Sequence, residues 1–542
     1  MTTTDTVDAF LRAHAGDAGV ALRFDDDSWT WPEATAAAAQ RAALLLAERR
    51  PGPLHIGVLA DNVPEYVHWL SAAALAGATV VGINPTRRGA ELARDITHTD
   101  CQVLIVDPAY ADLLDGLDLG DELGPDRVWR FDDPAYHERL AAHAGADLAT
   151  VDAALADEGR TVGPDDLYLL LFTSGTSGAP KAVKCSQGRL ARIAGIVAMG
   201  FGLGADSACY LSMPLFHSNA LMAGWCPAVA GGATSVLRRK FSASAFLSDV
   251  RRYGVTYANY VGKPLAYILA TPEQPDDADN PLRIVFGNEA SDGDIAEFGR
   301  RFGCVVIDGY GSSEGGASVS RTPDTPPGSL GPAGPDNLVL DPETGDECPV
   351  AQFDAEGALQ NADEAIGELV SRSGGAQFEG YWRNEEAEAE RRRGDNTYWT
   401  GDLAYKDADG FLYFAGRSSE WLRVDGENLA VAPIERILQR HPDVAMAAVY
   451  AVPDPVVGDQ CMAALVLRSG ATFDPEGFAA FLAEQADLGT KSAPRLVRIV
   501  DALPTTQTNK VLKRQLQQEA ADVADPVWHR PGKPLTYEPL ER

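Results

Sequence analysis

The junction that constrains this chain most is the apolar run Leu169-Leu-Leu-Phe172, followed at once by Thr173-Ser-Gly-Thr-Ser-Gly-Ala-Pro-Lys181. The run reads as a buried strand. The loop after it supplies small residues whose backbone N–H groups can approach an anion closely, and its hydroxyls and lysine add donors and charge. That chemistry suits a polyphosphate. The Walker A pattern does not apply, because Lys181 follows Ala179-Pro180 rather than a glycine and no Ser or Thr comes after it. A Ser/Thr/Gly run alone also reads as a flexible linker. The strand before it and the Pro-Lys after it favour a phosphate loop built from Thr173, Ser174, Gly175, Thr176, Ser177, Gly178 and Lys181.

A chain of 542 residues exceeds one core and implies several packed units. Its 46 Lys and Arg against 78 Asp and Glu leave a formal charge of −32, which argues against nucleic-acid binding. Any phosphate ligand must therefore be held by locally concentrated cations. The seven cysteines are odd in number and scattered, as expected of reduced thiols in a cytoplasmic protein rather than a disulfide frame or zinc site. Met1-Thr-Thr-Thr-Asp-Thr6 lacks the pattern of a signal peptide. The apolar stretches around Leu70–Ile83 and Ile193–Leu203 are too short or too rich in Gly and Ala to span a bilayer, so membrane contact is expected to be peripheral at most.

Strand-like runs alternate with helical text. His55–Ala60, Thr79–Ile83, Val103–Val106, Cys209–Met213, Thr234–Leu237, Tyr257–Val261, Ile284–Phe286 and Val305–Ile307 read as strands; Glu33–Arg49 and Pro64–Ala76 read as helices. That rhythm predicts an α/β fold, a large N-terminal domain of parallel sheets flanked by helices. Residues 116–163 read as surface helices and a linker. From 323 to 416, frequent Pro and Gly with short strands such as Gly367–Ser371 and Gly410–Ala415 predict a β-rich subdomain of the 1–416 unit. Residues 417–424 read as a boundary, and 425–542 as a small α+β domain with helices Pro433–Gln439 and Pro475–Gln485 and strands Ala445–Val452 and Cys461–Leu467.

Several turns after strands carry chemistry-bearing residues. Gly287-Asn288-Glu289-Ala290 is one, and Asp308-Gly-Tyr310-Gly311-Ser-Ser313-Glu314 another. An aromatic beside bare backbone suits an adenine ring, and Glu314 suits Mg²⁺ on a triphosphate; alone, the segment also reads as an ordinary strand exit. Tyr398-Trp-Thr-Gly-Asp402 places an acid where ribose hydroxyls could donate to it, and Arg417 follows another strand; taken singly, an Asp or Arg in such a turn reads as structural. Lys510 is a lone lysine on a polar loop, which by itself reads as a solvated surface residue.

Taken together and in this order, these segments resemble the adenylate-forming superfamily of acyl-CoA synthetases, peptide-synthetase adenylation domains and luciferases, over nearly the whole chain from about Ser28 onward. Thr173–Lys181 is similar to its phosphate loop, Tyr310–Glu314 to its aromatic-Gly-x-Thr-Glu motif with Ser313 in place of Thr, and Thr400–Asp402, Arg417 and Lys510 to its ribose, hinge and catalytic-lysine motifs. Asn84–Arg88, Leu237–Ser244, Tyr260–Gly262 and Gly426–Asn428 further resemble the fatty-acid-transport-protein and very-long-chain acyl-CoA synthetase branch, most closely an actinobacterial long-chain fatty-acid–CoA ligase. The animal members' N-terminal membrane segment has no counterpart here, so transport is not implied.

The resemblance implies two half-reactions: carboxylate attack on the α-phosphate of ATP, then thiolysis of the acyl-adenylate by coenzyme A. Lys510 would bridge carboxylate and α-phosphate; Lys181 and the loop would hold the β- and γ-phosphates; Glu314 and Thr173 would hold Mg²⁺. Gly287, Asn288, Glu289, Asp308, Tyr310, Gly311 and Ser313 would surround the nucleotide, with Asp402 and Arg417 on ribose and phosphate. The small domain would be mobile about the hinge, whose pivot falls on Ser419 or Glu420. His217 in Pro214-Leu-Phe-His217 fits either a place beside the substrate carboxylate or a buried structural histidine. The acyl pocket is expected from Phe216–Trp225, Tyr260–Leu265 and Gly287–Ala290, with Gly224 and Gly262 leaving room for a long or bulky, even sterol-derived, acid. Arg238-Arg-Lys240 fits either CoA phosphates or a solvated turn. The expected partners are the carboxylate, ATP and CoA, with a homodimer as a possible assembly. An acyl-AMP ligase loading a carrier protein and a silent nucleotide- or acyl-binding protein are the alternatives.

Overall fold

The computed structural model describes residues 5–540 apart from 174–180, 323, 355–358, 395, 418–420, 425–426, 455–457, 486, 489–491, 507–509 and 533. The first sheet runs in the order Val128–Arg130, Cys101–Val106, His55–Leu59, Thr79–Gly82, Leu167–Phe172, Ala182–Ser186. All neighbours are parallel except the last two strands, which are antiparallel with Phe172 opposite Ala182. The 173–181 connection therefore closes a hairpin rather than leading into a helix. His55–Leu59 and Cys101–Val106 are buried along their whole length, as strands of a parallel sheet covered on both faces should be. The covering helix Pro64–Ala76 starts with proline in its first turn, ends at Gly77 with φ 61°, and is buried from Tyr66 onward.

The second sheet has eight strands, in the order Ser318–Ser320, Val305–Gly311, Ile284–Asn288, Tyr257–Val261, Ala208–Leu211, Thr234–Leu237, Val20–Phe24, Asp27–Thr30. Its centre is parallel and both outermost pairs are antiparallel. The expected parallel sheets are present, and antiparallel strands close them at their edges. One further difference from expectation concerns a short element. Val128–Arg130 is a sheet strand inside the stretch read as helices and linker, and the Pro134–Ala142 and Leu148–Asp157 helices follow it. Gly331–Pro332, Phe411–Arg417, Thr397–Lys406, Gly367–Ser371 and Asn337–Leu340 form the antiparallel third sheet. A fourth sheet, centred on Gly458–Leu467 with Val444–Asp454 antiparallel to it, carries the helices Val431–Leu438 and Pro475–Glu484.

Close backbone approaches lock these sheets around one cleft. A Cβ on Gly82 would lie 2.8 Å from the Phe216 carbonyl, and Asn62 ties the same segment by donating to Met213 O and accepting from Leu215 N, each at 2.9 Å. The Pro214–His217 turn of the second sheet is thus fixed against the first. A Cβ on Gly374 would sit 1.7 Å from the Gly316 carbonyl, and one on Gly316 would sit 2.2 Å from the Tyr398 ring. Only glycines allow the third sheet to approach the turn that carries Glu314.

Candidate active site

A cleft of about 2450 Å³ opens where the sheets meet, and it is lined by residues of all four. On its wall lie Thr173, Lys181, His217, Asn288, Glu289, Asp308, Tyr310, Gly311, Ser313, Glu314, Asp402 and Lys510. Ser174–Gly178 and the pivot candidates Ser419 and Glu420 lie outside the described residues. The backbone of Arg417 pairs with Asp402 across two antiparallel strands, and its side chain is outside the described set. Gly287 does not line the cleft. A Cβ there would meet Tyr260 O at 2.3 Å, so this glycine lets two strands carrying the site pack closely.

Each polar group has a definable job. Thr173 donates through its backbone to Lys181 O at 3.1 Å, closing the neck of the phosphate-loop hairpin. Lys181, largely buried, places its ammonium 3.4 Å from Glu390 and 5.9 Å from the centre of the Tyr381 ring. The Tyr381 hydroxyl donates to Glu314 Oε1 at 2.9 Å, and Glu314 is 9% exposed. The Tyr310 hydroxyl donates to Asp402 Oδ2 at 2.5 Å, while Asp402 N donates to Thr400 Oγ1 at 3.0 Å. Asp308 turns its carboxylate inward, accepting from Tyr260 at 2.6 Å and Ala290 N at 3.1 Å; burial raises it to about 6. Its role in this geometry is to pin the 287–290 turn. Ser313 is held by the Ser218 hydroxyl at 2.7 Å and by Arg189 on its carbonyl at 2.6 Å. From the fourth sheet's unit, Lys510 reaches across to Glu289 Oε1 at 2.6 Å.

His217 borders the cleft with Phe216 against its ring, and burial together with the charge of Lys510 pushes its imidazole down to about 4. It is therefore neutral near pH 7. As pH falls below the ordinary value of 6.5, the unfolded chain takes up a proton that the folded site refuses, so stability is lost between 6.5 and 4. His217→Asn should remove about 2 kcal/mol of the stability lost between pH 7 and pH 5, read from denaturant midpoints at the two pH values. Equal losses in the two proteins would refute a neutral, desolvated imidazole.

The apolar end of the cleft departs from expectation. After His217 the chain enters a π-helical turn, Ala220–Trp225. It directs Met222 and Ala223 to the cleft and Gly224 away, where a Cβ would strike Asn259 Oδ1 and Leu211 Cδ2 at 2.8 Å. Gly224 thus serves packing, whereas Gly262 does line the cleft. Ile193, Ile196 and Val197 of the Gln187–Phe201 helix, with Val261 and Phe286, complete an apolar lobe. The basic Arg238–Lys240 cluster lies elsewhere. Arg238 pairs with Asp25 and Asp249, Arg239 with Asp107 and Asp61, and Lys240 with Asp61, so these cations are already neutralised.

Reading the sequence missed Tyr381, Glu390, Arg391 and Arg189. The signal available was Gly380-Tyr-Trp382 followed by the cationic run Arg391–Arg393; Gly380, with φ 90°, would bring a Cβ to 2.1 Å from Glu388 Oε2.

A cleft that gathers Lys181 from the end of a hairpin, the buried acid Glu314, Asp402 held by Tyr310 and Lys510 from the fourth sheet's unit defines a class. The chain belongs to the AMP-binding enzymes, the adenylate-forming family: that family's model matches residues 11–382, and the model of the AMP-binding enzyme C-terminal domain matches residues 433–510. Among curated relatives, it is 53% identical over 519 residues to the medium/long-chain-fatty-acid–CoA ligase FadD17 of Mycobacterium marinum, covering 95% of this chain and 96% of that one. It is 52% identical over 529 residues to the steroid-22-oyl-CoA synthetase of Rhodococcus jostii, covering 97% and 93%. Its fold is that of the ATP-bound crystal structure of MatB from Rhodopseudomonas palustris, with a TM-score of 0.80 at 24% identity, covering 96% of this chain and 99% of that one. Among the described residues no helix is long and apolar enough to cross a membrane.

Proposed function

We propose that the chain is an AMP-forming ligase that joins a long-chain or bulky carboxylic acid, sterol side-chain acids included, to coenzyme A. One observation carries the reading: the cleft is continuous from Lys181 and Glu314, past Lys510 and His217, into the Met222–Ile196–Phe286 lobe. Polyphosphate chemistry and an apolar tail thus share one space. The two relatives named above, one a fatty-acid ligase and one a steroid-acid ligase, support both chain types.

In the first step a carboxylate oxygen attacks the α-phosphorus of ATP, the bond to the β-phosphate bridging oxygen breaks, and pyrophosphate leaves. Two anions must meet, so the residues act by neutralising and aligning them. Lys510 donates to both the carboxylate and the α-phosphate. Lys181, released from Glu390, takes the departing phosphates. Asp402, with one oxygen oriented by Tyr310, accepts from ribose, and Tyr310 flanks the adenine. Neutral His217 donates or accepts a hydrogen bond beside the carboxylate without adding charge.

Among the described residues no cluster of three metal-ligating side chains exists. Glu314 with the Thr173 hydroxyl offers hard oxygen donors too few for a metal cage, which is what Mg²⁺ shared with substrate phosphates requires. Bound there, the ion would neutralise charge on the triphosphate. In the second step the CoA sulfur attacks the acyl carbonyl and AMP leaves. We take residues 425–542 as the moving unit, turning about 417–424 against the 1–416 unit with its 323–416 subdomain, so that Lys510 withdraws before thiolysis. The reading extends to a cytoplasmic location, which fits seven cysteines all present as free thiols.

The test is a carboxylate panel scored first by pyrophosphate release and then by thioester formation with free CoA. Long or bulky acids should give both. Acyl-adenylate that persists without thioester would replace this reading with an acyl-AMP ligase serving a carrier protein. No release with any acid would replace it with a binding protein. Size-exclusion chromatography of the same sample decides between monomer and homodimer.

A further inference from the structure

We infer that Glu289 is the positioning residue for Lys510, an anion of the large unit that holds the lysine of the small unit in register for adenylation. The inference rests on the reading of Lys510 above and adds a residue to it.

The turn bearing Glu289 is built with unusual care. Glu289 has φ 75°, a left-handed conformation that costs a long side chain on the order of 1 kcal/mol or more. The surroundings over-determine it. On one side Ala290 N donates to Asp308 Oδ2, itself held by the buried Tyr260 hydroxyl. On the other, Asn288 donates through Nδ2 to Gly309 O at 2.6 Å and accepts Gly262 N at its carbonyl at 3.1 Å. Gly287 lets the strand lie directly on Tyr260. Two neighbouring strands thus fix a backbone that aims one carboxylate across the gap between units.

Lys510 is held from its own side. Thr506 N donates to Lys510 O at 2.8 Å, and Lys510 N donates to Thr506 Oγ1 at 3.2 Å. Ala266 and Tyr267 of the large unit pack, as Val511 does, on the small unit's cluster that includes Leu503 and Leu516. The Lys510–Glu289 pair has side-chain exposures of 40% and 46%. A pair so exposed contributes little to stability, so strain kept to present it points to a geometric purpose. An ammonium has three donors. One on Glu289 leaves two, matching the two anions, carboxylate and α-phosphate, that adenylation must bring together. The lysine need not leave Glu289 to do its work.

The test is a double-mutant cycle on the full-length protein, read as single-turnover pyrophosphate release at saturating ATP and acid. Glu289→Ala should lower the rate by about ten-fold with KM for ATP within two-fold of wild type. Glu289→Asp should fall between the two. In a Lys510→Ala background, Glu289→Ala should add less than about two-fold, because a residue that acts through Lys510 has nothing left to position. Glu289→Gly suits the left-handed backbone and serves as the same probe if the alanine variant is unstable. A rate unchanged in Glu289→Ala, a multiplied loss in the double variant, or a rise confined to KM for ATP would each overturn the inference while leaving Lys510 in place. Full activity of Lys510→Ala would overturn the Lys510 reading and this one with it.

Discussion

Lys510→Ala is expected to lower carboxylate-dependent pyrophosphate release by about 10²–10³-fold while the protein still converts supplied acyl-adenylate and CoA to thioester at close to the wild-type rate. The first figure follows from removing a preorganised charged donor at the point where negative charge concentrates, worth about 3–4 kcal/mol of barrier. The asymmetry follows from chemistry. Only the first half-reaction brings a carboxylate against a phosphate; in the second, the carboxylate is already a neutral acyl group and AMP departs. The lysine stands in the cleft beside His217 and Glu289, on a loop of the unit that carries the fourth sheet. Stopped-flow release of pyrophosphate and chromatographic detection of acyl-CoA separate the two halves. Equal losses in both would mean the substitution disturbs the fold or CoA binding, and no loss in the first would remove Lys510 from the adenylation step.

Glu314→Gln should lower the same adenylation rate by about 10²-fold and raise the Mg²⁺ concentration needed for half-maximal rate by ten-fold or more. Glutamine keeps the volume of Glu314 and can still accept from Tyr381, so the packing of Gly316 against Tyr398 is left in place. What is lost is one full charge in a nearly enclosed position, 9% exposed. Chelation by EDTA should abolish adenylation in the wild type, and readdition of Mg²⁺ should restore it. A variant whose Mg²⁺ requirement is unchanged would show that Glu314 serves only to orient Tyr381 and, through it, Lys181.

Much of the architecture could be read in the residues because the relevant signals are local. His55–Leu59 and Tyr257–Val261 are short, largely apolar runs between turns, and a helix that begins at Pro64 and is capped by Gly77 declares both its ends. Val128–Arg130 was not legible. Three residues carry no period, and pairing with Cys101–Val106 rather than propensity makes them a strand. The site divides the same way. Lys181, Glu314, Asp402 and Lys510 sit in short motifs that are ambiguous singly, and it is their order along the chain that predicts the shared cleft they line. Asp308 was placed among the nucleotide ligands, yet its carboxylate faces Tyr260 and Ala290, a direction fixed only by strand pairing. Gly224 reads as an acyl-pocket residue because a glycine leaves room for a bulky acid. The π-helical turn shifts which residues face the cleft, and Gly224 ends against Asn259.

The hairpin that carries the phosphate loop has one more consequence. Because strands Leu167–Phe172 and Ala182–Ser186 clamp both ends of the 173–181 connection into the first sheet, Lys181 is fixed to that sheet, whereas Lys510 lies in the unit proposed above to turn. On that proposal the enzyme works as a stator and a rotor, with the leaving group docked on the first and the bond-making charge delivered by the second. Pyrophosphate then waits on no swing of the small unit to be held, and the small unit carries no phosphate with it when it goes.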